Sequence, residues 1–237
     1  MVSLKDSKGL FPIKFSFKFL KLKNVPTLFW SSPTALTFRP SWVSIFFLII
    51  GLILFGLGEA LLIAAGLGVS PWTVLAQGIA TVTGWTIGLA TFVTSFLVLI
   101  CWLPLKQTPG VGTILNAVII ALVLDFFLPF IPTFDKPLLN FVEAIIGVLV
   151  TGLGGGIYLI ANLGPGPRDG LMTGLQKVTN LPIAWVRSGI EVTVIALGWV
   201  LGGTVGVGTI LFALGIGPSV AASMYTLSTL YKEQPGY

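Results

Sequence analysis

The chain has 237 residues, of which 55% are apolar and 9% charged, with a mean hydropathy of +1.00. A soluble domain carries about 25% charged residues, so this composition belongs in a bilayer. The net charge is +5, but seven of the thirteen basic residues (Lys5, Lys8, Lys14, Lys18, Lys21, Lys23 and Arg39) precede the first apolar run. The basic excess is therefore a terminal feature, and no nucleic-acid partner is expected. Histidine is absent and Cys101 is the sole cysteine, which excludes a disulfide within the chain, a Cys/His zinc site and a histidine general base. No cofactor or metal is expected, although a carboxylate-only metal site stays open.

Residues 1–40 read as a separate basic, cytoplasmic region. Lys14, Lys18 and Lys21 fall at i, i+4, i+7, with Phe15, Phe19 and Leu22 one residue on. As a helix this is a basic amphipathic strip for an anionic membrane surface. As a disordered tail it only sets orientation, and the alternation of Phe15, Phe17 and Phe19 at strand period keeps that alternative open. No short apolar core followed by a small-residue cleavage site precedes the first span.

Spans are predicted at 41–64, 85–103, 113–130, 138–160, 182–201 and 207–226. About 20 residues at 1.5 Å each cover the ~30 Å hydrocarbon core, so these lengths suffice. Two further segments, 71–83 and 167–179, are too short: thirteen residues make only about 20 Å of helix. Each follows a Gly/Pro break. The first is Gly66-Leu67-Gly68-Val69-Ser70-Pro71, and the second is Asn162-Leu163-Gly164-Pro165-Gly166-Pro167-Arg168-Asp169-Gly170. Proline lacks an N–H and glycine is conformationally loose, so the helix stops and restarts there.

The two halves align in one register. Gly68 and Gly164 differ by 96 positions (164 − 68), as do Pro71 and Pro167, and as do Val111-Gly112-Thr113-Ile114-Leu115 and Val207-Gly208-Thr209-Ile210-Leu211 (207 − 111). The expected fold is an all-α polytopic membrane protein: membrane repeats at 41–132 and 137–228, and a short cytoplasmic tail at 229–237. Three spans per repeat would invert the second repeat relative to the first. Letting the short helices cross instead gives eight spans and parallel repeats. Cytoplasmic loops are rich in Lys and Arg. With the basic terminus inside, six spans leave Lys106, Arg168, Lys177 and Lys232 inside and only Lys136 outside, whereas eight move Lys106 and Arg168 out. Six spans are favoured, with each short helix either re-entrant or interfacial.

A charge at a helix centre costs about 2.5–3.5 kcal/mol on insertion scales, so such residues pair or face water. Glu59, Asp125, Glu143, Arg187 and Glu191 fall in predicted spans; Asp125 and Glu143 lie near span ends and reach toward the interface. Arg187 and Glu191 are one turn apart and suit a local ion pair as well as a site. Arg168 and Asp169 open a helix, where Asp169 suits an N-cap and Arg168 an anion or a lipid phosphate. None of these charges recurs at its repeat mate: Glu59 matches Gly155, Asp125 matches Ala221, Arg168 matches Trp72, Arg187 matches Thr91 and Glu191 matches Ser95. Gly152 to Gly156, in an apolar run with no strand before it, reads as close helix packing rather than a nucleotide loop.

The second break and its surroundings resemble the bacterial YczE/YyaS/YitT-type integral membrane proteins, closest to the YczE branch. The residues are Asn162-Leu163-Gly164, Gly166-Pro167-Arg168-Asp169-Gly170-Leu171-Met172, Arg187-(x)3-Glu191-Val192, Gly198-Trp199, Gly202-Gly203 and Gly206-(x)-Gly208-Thr209-(x)2-Phe212-Ala213. In the first half they are Leu67-Gly68-(x)-Ser70-Pro71-Trp72 and Gly112-Thr113-(x)-Leu115-Asn116-Ala117. The resemblance covers roughly 45–228. It implies a multi-pass protein of the bacterial plasma membrane, in a largely uncharacterised family whose members tend to carry Asp and His where this chain has Thr73 and Ala76. A transporter or permease for a small, anionic solute is the leading expectation, with Glu59, Asp125, Asn162, Arg168, Asp169, Arg187 and Glu191 as pathway candidates. A non-transporting accessory or scaffold protein for another membrane system is the alternative. Expected partners are the lipid bilayer, a small solute, and a homo-oligomer or a membrane partner protein. With no nucleophile–base pair, an enzyme is not expected.

Overall fold

The computed structural model describes residues 25–231, which form eight α-helices with no strand among them. The Lys14–Lys21 strip and the end of the tail lie outside the described residues. Five helices are long and apolar enough to cross a membrane: α1 (Trp42–Ala64), α4 (Val111–Phe127, with a 3-10 turn at Leu128–Phe130), α5 (Pro137–Ala161), α7 (Ile183–Val200) and α8 (Val207–Leu230). α2 (Pro71–Thr83), α3 (Ile87–Cys101) and α6 (Pro167–Thr179) are shorter. The span expected at 85–103 is α3, which has 15 residues and meets α2 at a bend of 114°. Counting that bent pair as one span raises the number of candidates from five to six. The trimming is local: left-handed Gly84 ends α2, and Thr86 caps α3 by accepting the Leu89 N–H at 3.1 Å.

The register seen in the sequence extends to the backbone. Helices that start at 71, 87 and 111 have counterparts at 167, 183 and 207. The described residues with positive φ also fall into mates at the same offset: Gly66 with Asn162, Gly68 with Gly164, Gly84 with Asn180, and Lys106 with Gly202.

Packing follows the same pairing. Gly51 of α1 abuts Gly154 and Tyr158 of α5, while Gly58 abuts Gly147 and Thr151. Rising numbers on α1 meet falling numbers on α5, so these two central helices are antiparallel. The contact Gly51–Gly154 is the repeat image of Gly147–Gly58. A Cβ on Gly51 would lie 2.7 Å from the Tyr158 backbone nitrogen, so glycine is what lets the backbones touch. α1 runs parallel to α4, with Gly56 against Val123, and α5 runs parallel to α8, with Gly152 against Ser219. These two contacts are again images of each other.

The halves are also cross-clasped at their breaks. The Gly208 N–H donates to the Leu67 carbonyl at 2.7 Å, and the Gly112 N–H donates to the Leu163 carbonyl at the same 2.7 Å. Each break therefore holds the start of the other half's last helix. Gly68 (φ +104°) and Gly164 (φ +109°) take a backbone region that side chains rarely adopt, and a Cβ on either would run into the clasped strand of chain.

Residues 25–40 do not stand apart from the bundle. Trp30 is fully buried and stacks on Phe47 at 4.4 Å. The Ser31 hydroxyl donates to the Ile160 carbonyl at 2.6 Å, and the Ser32 N–H donates to the Ala161 carbonyl at 3.0 Å. This segment seals the end of α5.

Candidate solute site

A cavity of about 270 Å³ lies between the two breaks, walled by α1, α4, α5, α7 and α8. Its lining includes several mated positions: Ser70 with Gly166, Trp72 with Arg168, Asn116 with Phe212, and Ile120 with Ile216. Trp72 and Arg168 touch each other, the guanidinium carbon lying 5.3 Å from the indole centroid. The cavity therefore lies where mated positions of the two repeats meet. The wall is not symmetric: α7 contributes Arg187 and Glu191, while its mate α3 contributes no lining residue.

Arg168 comes from the first turn of α6 and rests on the π face of Trp72 from the first turn of α2. Among the described residues the one ion pair is Arg187–Glu191, so no carboxylate lies within 4.0 Å of the Arg168 guanidinium. Asp169, next in the chain, lines the same cavity but accepts a hydrogen bond from the Tyr158 hydroxyl at 3.0 Å. Both α2 and α6 begin with proline at their first helical position, and neither Ser70 nor Gly166 caps with a side-chain hydrogen bond. The positive ends of two helix dipoles therefore face this space beside a cation that makes no salt bridge among the described residues.

Glu59 stands behind that wall. It is 1% exposed, and its Oε2 accepts from Ser70 Oγ at 2.8 Å and from Thr73 Oγ1 at 2.7 Å. Its Oε1 has no partner. Arg187 and Glu191 form their pair on α7 at 2.7 Å, with side chains 53% and 23% exposed, and both line the cavity at its rim.

The remaining candidates fall elsewhere. Asn162 is the left-handed end of α5, and its amide donates to the Ser32 carbonyl at 2.8 Å, which ties down the N-terminal segment. Asp125 accepts from Thr86 Oγ1 at 2.6 Å and from the Gly88 N–H at 2.8 Å, so it caps α3 from the end of α4. Five of the seven candidates thus gather around one cavity, with Glu59 one hydroxyl removed.

Sequence reasoning passed over Tyr158 and Trp72. Tyr158 sat unremarked in an apolar run. Trp72 carried a usable signal, since the repeat register pairs it with Arg168 and mates at the two breaks are candidates to meet on an axis.

Residues 42–225 match a family of unknown function, DUF6198. An uncharacterised protein of Haemophilus influenzae is 40% identical over 200 residues, covering 84% of this chain and 91% of that protein. The uncharacterised membrane protein YczE of Bacillus subtilis is 35% identical over 173 residues, covering 69% and 77%. The uncharacterised protein YyaS of the same organism is 28% identical over 166 residues, covering 68% and 83%. No solved structure matches. The apolar helices, the family match across the whole bundle and the likeness to YczE lead to one assignment: the chain belongs to DUF6198, the YczE-type family of membrane proteins.

Proposed function

We propose that this protein is a permease for a small organic anion in the plasma membrane, with its N-terminus cytoplasmic and its two three-span repeats inverted. The observation that carries the reading is Arg168, held over its repeat mate Trp72 with no carboxylate within 4.0 Å among the described residues. A cation set in a membrane-embedded wall beside two helix N-termini suits a carboxylate. The rest of the lining (Phe55, Ile120, Met172, Phe212, Ile216 and Val220) is apolar and suits a hydrocarbon body.

Inversion is supported by the antiparallel glycine contact of α1 and α5, since a two-fold that reverses the central helices lies across them. Re-entrance of the short helices is supported by their starts, which line the cavity rather than an outer surface. Backbone breaks survive at membrane depth only when buried in protein or facing such a space. The retained alternative, an accessory protein, would need no solute.

Titration calorimetry of the purified protein with benzoate, acetate and inorganic phosphate tests the site. Benzoate is expected to bind best, and Arg168→Gln to weaken it at least about tenfold, because a charge-assisted hydrogen bond contributes roughly 1.5–3 kcal/mol. Uptake of labelled benzoate into proteoliposomes is the companion measurement. Failure of all three anions to bind would transfer the assignment to the accessory protein.

A further inference from the structure

Glu59, Ser70 and Thr73 close a triangle of oxygens: 2.7 Å from Thr73 to Glu59, 2.8 Å from Ser70 to Glu59 and 2.9 Å between the two hydroxyls. All three separations are hydrogen-bond distances. With the carboxylate ionised, only two protons are present for three contacts, because each hydroxyl has one to give. Adding a proton to Oε2 supplies a third proton, which leaves the Ser70 hydroxyl the choice of donating back to Oε2 or releasing that contact. The carboxyl group then donates to Thr73 Oγ1, Thr73 donates to Ser70 Oγ, and the Ser70 proton is free to turn toward the cavity that Ser70 lines. The cluster accommodates either state by rotating two hydroxyls, with no change of backbone.

The charge around it is simple. α4 brings Val123 and Ile120 to this part of α1, and α5 brings Gly147 and Thr151. Glu143 on α5 lies eight residues before Thr151 (151 − 143). From α6, Arg168 lines the same cavity as Ser70, which donates to Glu59. Asp169, beside it, is held on Tyr158. A buried ionised carboxylate needs compensation, and Arg168 supplies it only while no anion claims that guanidinium.

We infer that the Glu59–Ser70–Thr73 triangle is a proton-binding site linked to the anion site, so that one proton enters with each organic anion. This rests on the permease reading. An anion at Arg168 leaves the Glu59 charge uncompensated, so a proton is taken from water through Ser70, Glu59 becomes neutral, and the loaded protein carries no net added charge. The same proton returns to water through Ser70 when the anion departs. Linkage is reciprocal: if the anion favours the proton, the proton favours the anion by the same factor.

Calorimetry with benzoate in two buffers of different ionisation enthalpy counts the protons taken up. About one per benzoate is expected in the wild type, with apparent affinity falling about tenfold per pH unit once Glu59 is ionised in the empty protein. Glu59→Gln, which keeps an oxygen for both hydroxyls, is expected to bind benzoate with no proton uptake and a flat pH profile. Uptake near zero in the wild type, or unchanged in Glu59→Gln, overturns the inference while leaving the permease reading intact. Infrared difference spectroscopy reads the proton site without any solute. A protonated-carboxyl band that titrates with pH, is lost in Glu59→Gln and is shifted in Ser70→Ala supports it even if benzoate never binds, an outcome that sinks only the permease. Absence of a titrating band that Glu59→Gln removes overturns it.

Discussion

At position 102 the chain carries tryptophan, and at its mate, 198, glycine. Trp102 presses its ring on Gly170 and donates its indole N–H to the Pro167 carbonyl at 2.9 Å, whereas Gly198 receives the backbone of Val74 and Leu75. Val74 is the mate of Gly170, so bulk has moved across one contact while the contact stayed filled. Close packing demands such paired change, because a lone large residue overpacks and a lone small one leaves a cavity. The Gly84/Asn180 pair extends the logic to backbone. Gly84 has φ +75° with open space around its Cβ position, and Asn180 holds φ +56° in the other half. Gly84→Ala should therefore lose about 1 kcal/mol through backbone strain alone, while Gly84→Asn should be near neutral, since asparagine tolerates the left-handed region. Thermal unfolding in detergent separates the two, and equal losses would show that space, not dihedral, governs the site.

Among elements, the duplicated pairs are equal in backbone but not in closure. α3 packs along α4, while its mate α7 has no comparable packing on α8. The reason is legible at Asp125, which ties Thr86 and the Gly88 N–H to the end of α4. The mates of these three residues are Ala221, Pro182 and Ala184, which offer neither carboxylate nor hydroxyl. α7 lacks that latch and packs on α2 instead, and its Arg187 and Glu191 line the cavity. Asp125→Ala should free α3: losing an acceptor for two donors costs about 1–3 kcal/mol, read as faster amide hydrogen exchange at residues 87–90 and little change at 183–186. Uniform acceleration over both segments would contradict a latch on one side only.

These elements also show what a single sequence reveals. The breaks, the short helices and the register were legible because glycine and proline at a fixed offset mark backbone directly. The five spanning helices follow from hydropathy. α3 proved shorter than its apolar run because capping by Thr86, not hydropathy, sets its start. Residues 1–40 read as one separate basic region because six lysines crowd positions 5–23, yet in 25–40, where Arg39 is the only charge, Ser31 and Ser32 bind carbonyls at the end of α5 and Trp30 is buried, contacts that carry no sequence signature. Charged residues marked candidates well, but which of them face one another depends on a symmetry axis, and only mates at the breaks could have hinted at it.

For the whole molecule, orientation decides between inverted and parallel repeats, and one pair of mates tests the choice. Thr83 ends α2 and Thr179 ends α6, they are 96 positions apart (179 − 83), and both are exposed. Thr83 adjoins the start of α3, which Asp125 binds to the far end of α4, and α4 runs parallel to α1. Thr83 therefore lies at the end of the bundle where α1 finishes. Thr179 adjoins the start of α7, at the end where α1 begins and where Tyr231 packs on Trp30 at 5.5 Å. In a Cys101→Ala background, a membrane-impermeant maleimide should label Thr179→Cys from the side that carries both described termini and Thr83→Cys from the opposite side. Eight crossings with parallel repeats would put both on the side of the termini. Labelling of both from that side would overturn the inverted arrangement, and with it the idea that the two breaks enter the membrane from opposite faces to meet at Trp72 and Arg168.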